Sequence, residues 1–224
     1  MTVEELNKAF LQMLGALDSQ PTGTKSKMFA DKSIIGIVGS EKAAEFHSPA
    51  LKKNSLKENM ETLGVAYSIA PALLAGMGSR ESNLGATLQR SSSIYWGWGD
   101  LSKRKGEKSA TYHGFGILQL DRKTAPFATV TEELTRSLGT IKLDPYEKRW
   151  LEWGVKAFLN KLEKTVKNYA KSDSEEQFAT ALSQYNGGKG LEYPDNDKYT
   201  TGKDYANDTL IRARWFAQNW EKIK

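Results

Sequence analysis

The chain has 224 residues, 39% hydrophobic, 26% charged and 10% aromatic, a composition suited to a globular protein with one well-buried core or at most two small domains. It contains no cysteine, which excludes disulfides and thiolate metal sites, and no apolar run approaches the roughly 18 residues that span a bilayer. A net charge of +5 and a pI near 9.1 favour polyanionic partners such as bacterial envelopes, nucleic acid or acidic lipid, but no dense Lys/Arg stripe interleaved with aromatics supports nucleic acid.

The acidic start Met1–Glu5, with Asn7, Lys8 and Gln12 interrupting its apolar residues, is not a classical secretory signal. Thr2 and Glu5 form a capping box, and Val3, Leu6, Phe10, Met13 and Leu17 then recur at helical spacing. Residues 1–20 therefore read as an N-terminal extension, an amphipathic helix packed on the body or on a partner, and residues 21–224 as a single domain. Residues 19–48 read as loop with at most a short element around Ile34–Val38. Ser48-Pro49 reads as an N-cap with Pro at the first helical position, opening a helix through Leu56, Met60 and Leu63 that Gly64 stops. A further helix should run from Pro71 to Asn83–Gly85.

Residues 86–120, rich in Ser, Gly, Trp, Tyr and Phe, suit a small β-hairpin or sheet region, with Lys103–Lys108 at a loop tip. After a second loop (about 121–143), Leu151, Val155, Phe158, Leu162 and Val166 mark a long amphipathic helix. Phe178, Leu182 and Tyr185 share a face of the next, and Ala206, Leu210, Ala213, Ala217 and Trp220 mark the last. The expected class is α+β, mainly α: a helical domain with a small β-hairpin or sheet region.

Glu81 stands four residues after Met77 and seven after Leu74, so it shares the stripe of Leu73, Leu74 and Met77. Removal from water disfavours its charged form, and the negative end of the helix dipole pushes the same way. Both favour a protonated acid able to protonate a glycosidic oxygen. The plainer alternative is an exposed glutamate at the end of the stripe, paired with Arg80. Asp100 in Gly97-Trp98-Gly99-Asp100 and Asp121 after Gly114–Leu120 supply solvated carboxylates, and glycosidases commonly use two carboxyl groups in divided roles. His47 and His113 have no ligand-like spacing, so no metal site is expected.

Four blocks resemble goose-type lysozyme: Ala75-Gly76-Met77-Gly78-Ser79-Arg80-Glu81-Ser82; Gly97-Trp98-Gly99-Asp100; Gly114-Phe115-Gly116-Ile117-Leu118-Gln119-Leu120-Asp121; and Ser183-Gln184-Tyr185-Asn186-Gly187-Gly188 with the later Thr200–Asp208. The lack of cysteine is similar to the cysteine-free members of fish and some invertebrates, and the segment between Asp100 and Asp121 is longer than is usual. The resemblance implies a lysozyme-like fold with the β region lining a long cleft, and no metal or other cofactor. It implies cleavage of the β-1,4 bond between N-acetylmuramic acid and N-acetylglucosamine in peptidoglycan, with inversion, in antibacterial defence. By motif it makes Glu81 the general acid and Asp100 and Asp121 the residues that position and activate water. It puts Gln119, Tyr185, Asn186 and Tyr205 in the substrate cleft, where Trp98 is the best tryptophan for sugar contact. Expected partners are peptidoglycan alone, without nucleic acid or membrane, for a monomer acting extracellularly. Two other readings stay open: a lytic transglycosylase giving 1,6-anhydromuramyl products, and a non-catalytic peptidoglycan-binding protein.

Overall fold

The computed structural model describes residues 1–15, 34–88, 99, 101–103, 105–121, 144–170, 174–187 and 190–223. Its first helix, α1 (Val3–Gly15), opens as the capping box requires. The Glu5 amide donates to Thr2 Oγ1 at 3.2 Å, and the Thr2 amide donates to Glu5 Oε2 at 2.7 Å. Leu6, Phe10 and Leu14 are buried, so α1 packs on the body; Leu17 lies outside the described residues. Asn7, also buried, has a second role: its Oδ1 accepts the Ala72 amide at 3.2 Å. Ala72 lies in the first turn of α4 (Pro71–Ser82), whose N-cap residue Ala70 has no capping side chain, so α1 supplies the missing acceptor.

Between these helices the chain departs from the sequence expectation. Part of the presumed loop is a 14-residue helix, α2 (Ile34–His47). Its helix formers, Glu41 to Glu45, are not arranged with a one-sided apolar stripe, so periodicity fails to mark it. A 3₁₀ stretch, Ser48–Ser55, follows directly. The Ser48 hydroxyl donates backwards to the Glu45 carbonyl at 2.8 Å, so Ser48 does not cap a new helix. The new helix, α3 (Leu56–Tyr67), starts beyond Ser55, whose φ is +57°. Gly64 does not stop α3, which continues to Tyr67 and ends at left-handed Ser68. Gly64 is there for proximity: a Cβ would lie 2.6 Å from Pro71 Cγ and 2.8 Å from the Ile69 carbonyl oxygen.

Among the described residues, the β region shows two antiparallel pairs. β1 (Leu101–Ser102) pairs with β2 (Thr111–Tyr112), and β3 (Gly114–Phe115) with β4 (Leu120–Asp121). Among the described residues, the next helices are the 25-residue α5 (Asp144–Asn168) and the 12-residue α6 (Ser174–Tyr185). On α5, Leu151, Val155 and Phe158 are buried, Leu162 is partly buried and Val166 is exposed, so the predicted stripe leaves the core toward the C-terminus. Short 3₁₀ turns, Asp197–Tyr199 and Thr201–Lys203, lead into α7 (Tyr205–Asn219).

One apolar cluster joins α1, α3, α4, α5, α6 and α7, with Leu14, Met60, Leu74, Phe158, Leu182 and Phe216 among its buried members. Helix α4 runs through it: every residue from Pro71 to Ser79 is buried, not only the predicted stripe. It crosses α7 at close range, because a Cβ on Gly76 would stand 2.7 Å from Ala213 Cβ and 2.8 Å from the Ala213 amide nitrogen. The architecture is mainly α with a small antiparallel β part, the lysozyme-like α+β class. Its central helix reaches solvent only at its last turn, where Arg80 and Glu81 are half-buried.

Candidate active site

The end of α4 is held from two directions. Beyond the helix, Asn83 and Leu84 take positive φ values of 50° and 52°, and the Leu84 amide returns to the Gly78 carbonyl at 3.0 Å. Ser82, the last helical residue, donates its hydroxyl to the Ile117 carbonyl at 2.8 Å and accepts the Gly85 amide at 3.0 Å. That bond joins the helix carrying Glu81 to the turn between β3 and β4. Within this turn, Gln119 has φ +47° and donates both its backbone amide (3.0 Å) and its side-chain Nε2 (2.8 Å) to the Gly116 carbonyl.

The Gln119 amide group also explains two glycines, since a Cβ on Gly99 or Gly114 would overlap it. The Gly99 amide donates to the Gly114 carbonyl at 3.0 Å, and Gly114 lies opposite Asp121 in the β3–β4 register. Asp121 is half-buried at the end of β4. Asp100 and Trp98 lie outside the described residues, although Gly99, between them in sequence, is placed at the root of this β region.

The opposite wall comes from α6 and α7. Tyr185, at the end of α6, donates its hydroxyl to the Leu118 carbonyl at 2.6 Å, tying α6 to the same turn. Asn186 Oδ1 accepts the Thr201 amide at 2.8 Å. Tyr205 opens α7, is 1% exposed, and donates its hydroxyl to Glu81 Oε1 at 2.6 Å. Burial, then the neighbouring Glu81 charge, hold both the Tyr185 and Tyr205 phenols well above their ordinary pKa. Both therefore keep their protons across the working pH range and remain donors. Tyr205 thus meets Glu81 directly, and Tyr185 and Gln119 share the turn between β3 and β4. Asn186 follows Tyr185 and holds Thr201, and Asp121 lies two residues beyond that turn.

Arg80 reaches across to the segment that leads into α7 and to α7 itself. Its Nε is 2.7 Å from Asp208 Oδ2, its Nη2 donates to the Thr201 carbonyl at 2.9 Å, and its guanidinium lies 5.6 Å from the Tyr205 ring centroid. Thr201 is therefore gripped on both sides, by Arg80 through its carbonyl and by Asn186 through its amide. Burial alone would raise the Asp208 carboxyl, but Arg212, Ser40 and Arg80 together hold it below its ordinary value. Arg212 donates from Nε to Asp208 Oδ1 at 3.1 Å and from Nη1 to Ser79 Oγ at 2.9 Å. Ser79 Oγ in turn meets His47 Nδ1 at 2.8 Å.

Asp197 was not legible as part of the site. Nearly buried, it accepts the Ala206 amide at 2.9 Å on Oδ1, together with the Ser183 and Thr200 hydroxyls at 3.2 Å. It thereby caps α7 at the turn that carries Tyr205 and links it to α6. Burial raises its pKa, with the bonds from Ala206, Asn207, Ser183 and Thr200 opposing. Nothing local in the sequence marks Asp197, because its partners come from three separate segments. Arg80 and Asp208 stood inside the resembling blocks, yet neither spacing nor periodicity paired them with each other.

Among the described residues, no cluster of three or more His, Cys, Asp or Glu could hold a metal ion, and no helix is long and apolar enough to cross a membrane. The chain matches the family model described as Lysozyme g over residues 15–220. It is 28% identical over 187 residues to "Lysozyme g" of Casuarius casuarius, covering 82% of this chain and 83% of that protein. Against "Lysozyme g" of Struthio camelus it is 27% identical over 206 residues, 91% and 85% of the two chains. Against that of Cyprinus carpio it is 27% identical over 202 residues, 88% and 89%. The match spans α2 to α7, including every segment that converges on Glu81, and the chain belongs to the lysozyme g family, an enzyme of the glycoside hydrolase class.

Proposed function

We propose that the protein is a muramidase that cleaves the β-1,4 bond between N-acetylmuramic acid and N-acetylglucosamine in bacterial peptidoglycan, with inversion, as an antibacterial enzyme. The observation that carries this reading is the Tyr205–Glu81 hydrogen bond of 2.6 Å, made where the buried central helix first meets solvent. Half-burial at a helix C-terminus favours the protonated form of Glu81. The Tyr205 hydroxyl favours the ionised form and fixes the carboxyl in place. Opposing influences of this kind suit an acid that must give up and regain one proton each cycle.

In this reading Glu81 gives its proton to the glycosidic oxygen as the bond from that oxygen to C1 breaks. A water attacks C1 from the opposite face of the sugar, and its proton passes to an aspartate, Asp121 or Asp100. An inverting pair of this type needs about 6.5–9.5 Å between carboxyls to admit the water. Tyr205, with no ring face open to solvent, is a positioning residue acting through Glu81. Tyr185 and Asn186 build the wall beside it, Gln119 shapes the β turn, and Trp98 contacts sugar.

The test is digestion of purified peptidoglycan by wild type and Glu81→Gln, with the fragments resolved by mass spectrometry. Expected are reducing ends of inverted anomeric configuration from wild type and a rate loss of about 10²–10⁴-fold for the variant, with its thermal unfolding intact. Anhydromuramyl ends would instead establish a lytic transglycosylase. Binding without cleavage by wild type would establish a non-catalytic glycan-binding protein.

A further inference from the structure

The hairpin that separates the two aspartates in sequence has no part in the proposed reaction. It leaves the β region just after Gly99 and Asp100, runs through β1 and β2, and returns at His113–Gly114, beside the strand that carries Asp121. Its root is fixed. The Gly99 amide donates to the Gly114 carbonyl at 3.0 Å, and the fully buried His113 meets Glu107 Oε2 through Nε2 at 3.0 Å.

The His113–Glu107 contact also sorts the hairpin's charges. Between Lys103 and Lys108 the sequence is Lys-Arg-Lys-Gly-Glu-Lys. The single acid of this run, Glu107, is drawn inward to His113 and half-buried, whereas Lys103, Lys105 and Lys108 are exposed. None of these lysines adds to the apolar core, and like charges crowded on one short hairpin repel one another. A polyanion lying alongside would relieve that repulsion.

We propose that the β1–β2 hairpin is a cationic arm that binds the acidic peptide stems carried by the glycan strand, holding substrate by charge beside the cleft. This rests on the muramidase reading for the identity of the glycan. N-acetylmuramic acid bears a lactyl group extended by a short peptide with free carboxylates, so a strand lying in the cleft presents anionic groups along its flank. Phosphate-rich polymers attached to the wall offer the same charge from another source, and the experiment must separate the two.

The test compares Lys103, Lys105 and Lys108 all changed to Gln with the same three changed to Arg, both in the Glu81→Gln background so that substrate is not consumed. Binding is read by co-sedimentation with insoluble peptidoglycan freed of teichoic acid, at low and at high salt. The Gln variant should bind about tenfold more weakly at low salt, as expected for several exposed charges acting together, and the difference should shrink at high salt, where screening is strong. The Arg variant should bind like its parent, and binding to uncharged chitin should be the same for all three. The proposal is overturned if the Gln variant binds stripped peptidoglycan as tightly as its parent, if it loses chitin binding equally, or if a loss appears only on walls that retain teichoic acid. Because binding is measured without turnover, a failure of the arm is distinguishable from a failure of the hydrolytic reading, which the digestion products decide.

Discussion

Tyr205→Phe isolates one bond of the proposed site. It removes the hydroxyl that donates to Glu81 Oε1 at 2.6 Å and leaves the ring, 1% exposed, in its packing. A hydrogen bond to a charged group is worth about 1.5–3 kcal/mol net. Glu81 is half-buried, so water can replace part of the lost bond and the lower end applies, about 1.5 kcal/mol or roughly one pH unit. The sign follows from which form the phenol supports. It stabilises ionised Glu81, so without it the carboxyl holds its proton to higher pH. A general acid works protonated, and the alkaline limb of the kcat profile on peptidoglycan should move upward by about one unit. Tyr185→Phe is the control, because that hydroxyl goes to the Leu118 carbonyl and its loss should leave the limb where it was. An alkaline limb that stays put or moves down in Tyr205→Phe would refute the assignment of Glu81 as an acid tuned by Tyr205.

Two glycines on neighbouring helices should respond to alanine in opposite directions, as measured by urea unfolding. Gly76→Ala puts a Cβ within 2.9 Å of the Ala213 backbone and should cost about 1–3 kcal/mol by forcing α4 away from α7. Gly39→Ala on α2 meets nothing within 4 Å and should stabilise by about 0.5–1 kcal/mol through the lower entropy of the unfolded chain. Asp208 governs a pH effect. Its pKa is lowered from 3.8 in the folded state, so its contribution is present above 3.8 and is lost as pH falls below that value toward the folded one. Asp208→Asn should therefore flatten the acid end of the stability–pH curve, and an unchanged slope below pH 4 would contradict the Arg80–Asp208–Arg212 arrangement.

The Tyr205 and Asp208 effects both depend on the geometry around Thr201. The segment from Thr200 to Asp204 is gripped by Asn186 just beyond α6, by Arg80 from α4 and, through the Thr200 hydroxyl, by Asp197. Gly202, with φ +80°, lets the chain pass close to Arg80: a Cβ there would sit 2.9 Å from Arg80 Nη2. Since Tyr205 follows immediately, the position of its hydroxyl over Glu81 depends on contacts from several elements.

Local chemistry was enough to place much of this protein. The Thr2–Glu5 box, the start of α4 at Pro71 and the apolar faces of α5 and α7 were all readable, because capping, proline geometry and periodic burial depend on neighbours a few residues apart. The same reasoning missed α2, which lacks a one-sided apolar stripe, and took Gly64 for a stop when it is a point of close approach to Pro71. Sequence alone put Glu81 at the end of a helix within a resembling motif, with the apolar stripe as the reason for its burial. Tertiary structure replaced that reason: α4 is buried on every side, and Glu81 is where it emerges. Only the folded chain could decide Glu81's partner, since the hydroxyl that meets it comes from 124 residues away. A hydrogen bond requires coincidence in space, and local periodicity carries no information about contacts across that separation.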